Sequence, residues 1–257
     1  MIRLIASDID GTLLPYGEHT IPDEVFEEIH RLERKGILFC PASGRQYTSL
    51  RRLFTPVADR VPFLCENGAE VYGPGSPGPV LGKTVMERER ALALCRDIVD
   101  APGLEVLISG ADISYLCPKG DAIAPLVRDF VGNNTVLLST PEDVPEDIIK
   151  VSAYCPEGNP SEVLAELGPK WGQVFQATVA GEVWLDFTLA DKGMGLTQLC
   201  AALGIGLDEV MAFGDNFNDE SMLSIAGQPW IMADAAPALR EHFPNHCKRV
   251  VDVLRTL

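Results

Sequence analysis

Four aspartates that close short apolar runs are the residues best equipped for chemistry in this chain. Asp8 and Asp10 follow the apolar run 2–6, and Asp215 and Asp219 follow the run 210–213. Ser43 closes a third run, 37–42. In an open α/β sheet, ligands bind at the carboxyl ends of the strands, so side chains placed there can share one crevice. Crowded carboxylates repel one another, and burial raises their pKa values. A divalent cation resolves that conflict. Oxygen donors with no nearby His or Cys suit a hard ion, Mg2+ first. Lys192 stands in the first turn of a predicted helix, where the helix dipole disfavours a cation. A function offsets that cost: a lysine beside a metal, a hydroxyl and a helix N-terminus binds a phosphoryl group.

These residues need elements to position them. Residues 2–6 and 37–42 are almost wholly apolar, as strands covered on both faces are. Between them a helix is predicted, with Pro22, Asp23 and Glu24 at its start, Val25, Ile29 and Leu32 on one face and Gly36 at its end. A helix to Phe54 follows, then a strand over 63–65 that runs into Glu66-Asn67-Gly68 and turns into a strand over 69–72. Residues 73–82, GPGSPGPVLG, read as a linker. Beyond it the pattern predicts helices over 87–100, 121–131 and 161–167, and strands over 104–108, 113–117, 148–154, 174–179 and 183–187. A helix over 192–203, a strand over 210–213, a helix over 219–226, a strand over 230–232 and a short helix after Pro244 complete the chain. Strand–helix alternation at both ends implies one doubly wound parallel sheet, interrupted by a second, mixed α/β domain.

Composition narrows the function classes. With 257 residues the chain is long enough to bury a full core, and its formal charge of −16 argues against a nucleic-acid groove. The seven scattered cysteines form no CxxC pair, which argues against a zinc knuckle and fits a reducing cytoplasm. No run approaches the length of a membrane span, and the N-terminal apolar run is too short for a signal peptide. The expectation is a cytoplasmic protein without a membrane or nucleic-acid partner.

Five motifs occur together and in order: DIDGTLL at 8–14, SGR at 43–45, ENGA at 66–69, DKG at 191–193 and AFGDNFND at 212–219. This set resembles the haloacid dehalogenase (HAD) superfamily, specifically the Cof-type, subfamily IIB sugar-phosphatase-like hydrolases. The resemblance covers 1–82 and 188–235. It implies a Rossmann-like doubly wound α/β core made of 1–82 and 187–257, with an α/β cap domain inserted as 83–186. Spacing places the insertion: 33 positions separate Asp10 from Ser43, whereas 149 separate Ser43 from Lys192.

The resemblance also implies roles. Asp8 is the nucleophile, and Asp10 is the general acid and then the general base. Ser43 donates to the phosphoryl oxygens, and Lys192 neutralises them. Mg2+ is held by the Asp8 carboxylate, the Asp10 backbone carbonyl and Asp215, with Asn218 and Asp219 behind it. Gly44, Arg45 and Asn67 are substrate-binding candidates; in the cap, Asp112 and Asp186 could meet substrate hydroxyls but read first as solvated loop or strand-end residues. The pattern departs from the family where Ala233-Asp234 stands for a glycine–asparagine pair, and the family's C-terminal Gly-Val pair is not evident. Two other segments carry weaker signals. Residues 78–84 are one residue short of a phosphate loop and contain Pro79, and Phe217 breaks a calcium-loop reading of 215–219. The expected activity is Mg2+-dependent hydrolysis of a small phosphorylated metabolite through an aspartyl-phosphate; the resemblance implies a sugar phosphate and leaves coenzyme-like phosphates such as pyridoxal phosphate or flavin mononucleotide open. The alternatives are a phosphosugar mutase using the same intermediate and a non-catalytic phospho-metabolite binding protein.

Overall fold

Alternation along strands that are apolar on both sides builds two cores around one sheet. In Leu4–Ser7, Ile5 joins one hydrophobic cluster while Leu4 and Ala6 join the other. In Val210–Gly214, Met211 and Phe213 join the first, and Val210 and Ala212 the second. Both faces must therefore be covered, and helices cover both. The computed structural model describes residues 1–15, 17–180 and 182–257.

These residues form two compact units, Met1–Lys83 with Asp191–Leu257, and Thr84–Ala190. In the first, five parallel strands lie in the order Asn245–Cys247, Gln228–Met232, Val210–Gly214, Leu4–Ser7, Leu38–Pro41. Asp23–Glu33, Tyr47–Leu53 and Val250–Leu254 pack on one face, through residues such as Ile29, Leu50 and Val253. Lys192–Leu203, Glu220–Ile225 and Pro237–Arg240 pack on the other, through Leu196, Met222 and Leu239. A three-stranded antiparallel sheet, Phe63–Cys65, Glu70–Tyr72 and Val80–Lys83, adjoins the parallel one through the Ala42–Leu64 bridge. The core is thus the doubly wound α/β sheet that the alternation implies.

The second unit holds a six-stranded sheet in the order Gln176–Ala180, Trp184–Thr188, Lys150–Tyr154, Glu105–Ser109, Ser114–Leu116, Thr135–Leu137. Only the last pair is parallel. Arg88–Asp100 and Pro160–Trp171 bury Leu94, Ile98, Leu167 and Trp171 against one face. Leu107 and Leu116 pack with Ile123 and Val127 on the other.

Several expectations are corrected. The segment 73–82 is not a free linker: Gly73 N donates to Pro79 O, and Val80–Lys83 is a paired strand. The expected boundary at 186/187 falls inside Trp184–Thr188, which pairs with strands of the second unit on both sides, so the division lies after Ala190. The C-terminal stretch contributes an edge strand, Asn245–Cys247, before its helix. The predicted helix 121–131 is one short α-turn, Ile123–Pro125, followed by π-helix over Leu126–Val131. Pro125 supplies no backbone donor there, and three-residue strands such as Thr135–Leu137 carry too little periodicity to be read. Among the described residues no helix is long and apolar enough to cross a membrane.

Candidate active site

Backbone pairing carries past the strand ends and gathers the predicted residues. Asp8 N donates to Phe213 O at 3.0 Å, one residue beyond the Leu4–Ser7 strand. That bond sets Asp8 beside the Gly214–Asp215 turn. On the other side, Ala42 N donates to Ser7 O, and Ser43 N to Leu64 O. Ser43 is buried, and its Oγ accepts from Arg45 N at 3.2 Å, closing the Ser-Gly-Arg turn.

Lys192 enters on the tip of its helix. Asp191 caps that helix by accepting from Met194 N at 2.8 Å. Two glycines let the tip sit close to its neighbours. Gly68 has φ +96°, and a Cβ there would lie 2.1 Å from Asp191 O; a Cβ at Gly193 would lie 2.7 Å from Ser221 O. The result is a wholly buried ammonium, with Nζ 2.5 Å from Asp8 Oδ1 and 2.5 Å from Asp219 Oδ1. Asp219 is also wholly buried, and its Oδ2 accepts from Asp215 N at 3.0 Å and Asn216 N at 3.1 Å. One carboxylate therefore anchors Lys192 and shapes the Asp215 turn. Asp215 Oδ1 accepts from Thr12 Oγ1 at 3.0 Å.

The electrostatics follow from this packing. Burial pushes the Asp8 carboxyl well up, and Asp219 and Asp215 push the same way, while Lys192 opposes them. Burial alone would push Lys192 down, yet Asp219 and Asp8 together hold it above the usual lysine value. Carboxylate oxygens of Asp8, Asp215 and Asp219 lie within 4.8 Å of one another. Three carboxylates around one ammonium leave an excess of negative charge, and all the donors are oxygens. That chemistry fits a hard divalent cation.

The remaining candidates fall in two places. Asp10 lies outside the cluster and is half-exposed; both its oxygens accept from Arg45, at 2.7 and 3.0 Å. Asn67, with φ +53°, packs against Gly44 and accepts from Asn218 Nδ2 at 3.3 Å. Asn67, Gly44 and Asn218 thus tie the 66–68 turn to the 215–219 turn. Asp186 is not solvated: it is buried, with Lys150 Nζ at 3.4 Å and Ser152 Oγ donating at 2.6 Å. Asp112 has φ +58° and meets Asn134 Nδ2 at 3.3 Å. Sequence reasoning gave Thr12 no role, although it sits inside the 8–14 motif; a hydroxyl two positions past Asp10 was the available signal. It also missed the Asp10–Arg45 fork, because a contact spanning 35 positions leaves no local pattern.

The haloacid dehalogenase-like hydrolase family matches residues 5–251. The chain is 25% identical over 240 residues to the 5-amino-6-(5-phospho-D-ribitylamino)uracil phosphatase of Escherichia coli K12, covering 93% of this chain and 88% of that protein. It is 26% identical over 264 residues to the HMP-PP phosphatase of Cronobacter sakazakii, covering 97% and 92%. A solved sugar phosphatase of HAD subclass IIB has the same fold, with a TM-score of 0.83 at 21% identity over 99% of this chain and 98% of that one.

Proposed function

We propose, for a chain that belongs to the haloacid dehalogenase-like hydrolases and is a Cof-type phosphoric monoester hydrolase, a Mg2+-dependent reaction through an aspartyl-phosphate on Asp8. The observation that carries this reading is the buried Lys192 held between Asp8 and Asp219. Asp219 spends one oxygen on Lys192 and the other on two backbone amides, so it is an anchor. Asp8 gives Lys192 only Oδ1, and its Oδ2 takes no hydrogen bond among the described residues. That difference supports Asp8 as the attacking carboxylate.

In the first half-reaction an Asp8 oxygen bonds to phosphorus as the bond to the leaving-group oxygen breaks, and the Asp10 carboxyl gives that oxygen its proton. In the second, the Asp10 carboxylate takes a proton from water, whose oxygen bonds to phosphorus as the Asp8–phosphorus bond breaks. Phosphate leaves and Asp8 is restored. Ser43 Oγ donates to a phosphoryl oxygen, and Lys192 holds opposite charge beside Asp8. The Asp8 and Asp215 carboxylates and the Asp10 carbonyl would hold Mg2+, which neutralises charge on the phosphoryl oxygens when bound.

The substrate is a small phosphorylated metabolite of the cytoplasm, and a phosphorylated sugar or polyol is the best candidate. The phosphorylated ribityl chain named for the Escherichia coli relative supports that class. Phosphate release over a panel of phosphorylated sugars, nucleotides and coenzymes tests the reading, with Mg2+ or chelator and with Asp8→Asn beside the wild type. Metal-dependent release that Asp8→Asn abolishes is the expected result. Release that survives in Asp8→Asn, or isomerised sugar phosphate with little free phosphate, would overturn it.

A further inference from the structure

We propose that Arg45 is a positioning residue for Asp10: its guanidinium fork holds the carboxylate that exchanges the proton with the leaving group and the water. This rests on the reaction proposed above. The two nitrogens of Arg45 donate to the two oxygens of Asp10, Nη2 to Oδ1 at 2.7 Å and Nε to Oδ2 at 3.0 Å. A paired, planar contact of this kind fixes the carboxylate plane as well as its place, which a single hydrogen bond does not do.

The fork is anchored at its own base. Arg45 N donates to Ser43 Oγ at 3.2 Å, and Arg45 O accepts from Glu66 N at 3.0 Å. Ser43 in turn hangs from the Leu64 carbonyl. The guanidinium is thus referenced to the same strand end that presents Ser43. Asp10 needs such a partner, because it lies past its strand and is 45% exposed, against 29% for Arg45. A free carboxylate at that exposure samples several rotamers, and proton transfer demands one of them. The fork also leaves chemistry open. An ionised carboxylate offers about four lone-pair positions, and a bidentate arginine occupies two. Those remaining can take the proton from water or return it to a leaving oxygen.

Three consequences separate this role from its rivals. A residue that acts through the general acid matters most when the leaving group is a poor one, because an acidic phenol departs without help. A residue that grips the phosphoryl group matters equally for every ester and for inorganic phosphate. A pair that only ties two loops together affects neither.

The experiment measures kcat and KM of wild type, Arg45→Ala and Arg45→Lys on substituted phenyl phosphates from 4-nitrophenyl to phenyl, and on ribose 5-phosphate, with inorganic phosphate as inhibitor. In Arg45→Ala, kcat on phenyl phosphate and ribose 5-phosphate should fall about 100-fold, while 4-nitrophenyl phosphate loses less than about threefold. Inhibition by phosphate should be unchanged. Arg45→Lys should recover part of the loss, since an ammonium restores the charge without the fork. In an Asp10→Asn background, Arg45→Ala should cost nothing further. A uniform loss with weaker phosphate inhibition, or an unchanged leaving-group dependence, overturns the role of Arg45 alone. Absence of phosphate release by the wild type from every ester overturns the reaction and this role with it.

Discussion

Each of the two units buries a lysine against a carboxylate, and the two arrangements differ in what surrounds them. In the doubly wound unit, Lys192 lies 2.5 Å from each of two aspartates at strand ends, and Asp215 adds a third carboxylate. In the inserted unit, Lys150 meets Asp186 at 3.4 Å in mid-sheet, where Ser152 completes the acid's bonding. Both lysines and both principal acids are nearly or fully buried. Burial of an ion pair therefore does not by itself distinguish the two arrangements. The distinguishing features are the surplus of negative charge and its place at the carboxyl ends of parallel strands, where the chain turns away and backbone amides point inward.

Disrupting the buried ion pair in each unit would break or sustain that contrast. Lys192→Ala should lower kcat by at least about 1000-fold, because the opposite charge beside Asp8 and the phosphoryl group is lost. It should also cost about 3–5 kcal/mol in urea unfolding, because Asp219 is left buried without its cation. Retained activity in a folded Lys192→Ala protein would remove the basis of the distinction. Asp219→Ala is expected next in size, at about a 100-fold loss of kcat. Lys192 keeps Asp8 in that variant, but the amides of Asp215 and Asn216 lose their acceptor. The apparent affinity for Mg2+, read from metal titration of activity, should fall with it.

The inserted unit should answer differently. Asp186→Ala leaves Lys150 without that carboxylate and should cost about 3 kcal/mol of stability, while the double replacement Lys150→Met with Asp186→Leu should return to within about 1 kcal/mol of the wild type. Denaturant unfolding measures both. On this expectation apolar side chains replace the Lys150–Asp186 pair, whereas none should replace Lys192.

The same contrast explains what was legible in the sequence. Asp8, Ser43 and Asp215 each follow an apolar run, so their convergence could be read from strand ends before any contact was known. Lys192, a cation out of place at a helix start, could be read only with the DKG motif around it, since a lone lysine there is more often solvated. By contrast, the Asp10–Arg45 fork, the double use of Asp219 and the Lys150–Asp186 pair depend on register and rotamer, which spacing does not encode. The edge strand Asn245–Cys247 was hidden for another reason: it has three residues, two of them polar, and owes its conformation to Trp230–Met232 beside it. The strand and helix limits of the insert were blurred by the same shortness.

Thr12 supplies the finest test of how the strand-end site is held. Its hydroxyl donates to Asp215 Oδ1 at 3.0 Å and ties the turn after Asp10 to the turn after Val210–Gly214. Valine fills nearly the same space without the hydroxyl, so Thr12→Val removes the bond and leaves the packing of a buried side chain largely intact. The expected loss is about 1 kcal/mol, the net value of one hydrogen bond, and hence about a fivefold weaker apparent affinity for Mg2+. At saturating metal kcat should recover, because no group that touches the phosphoryl oxygens has changed. A kcat that stays low at saturating Mg2+ would mean that Thr12 acts on the reaction itself, and the division between residues that shape the turns and residues that meet the phosphate would have to be redrawn.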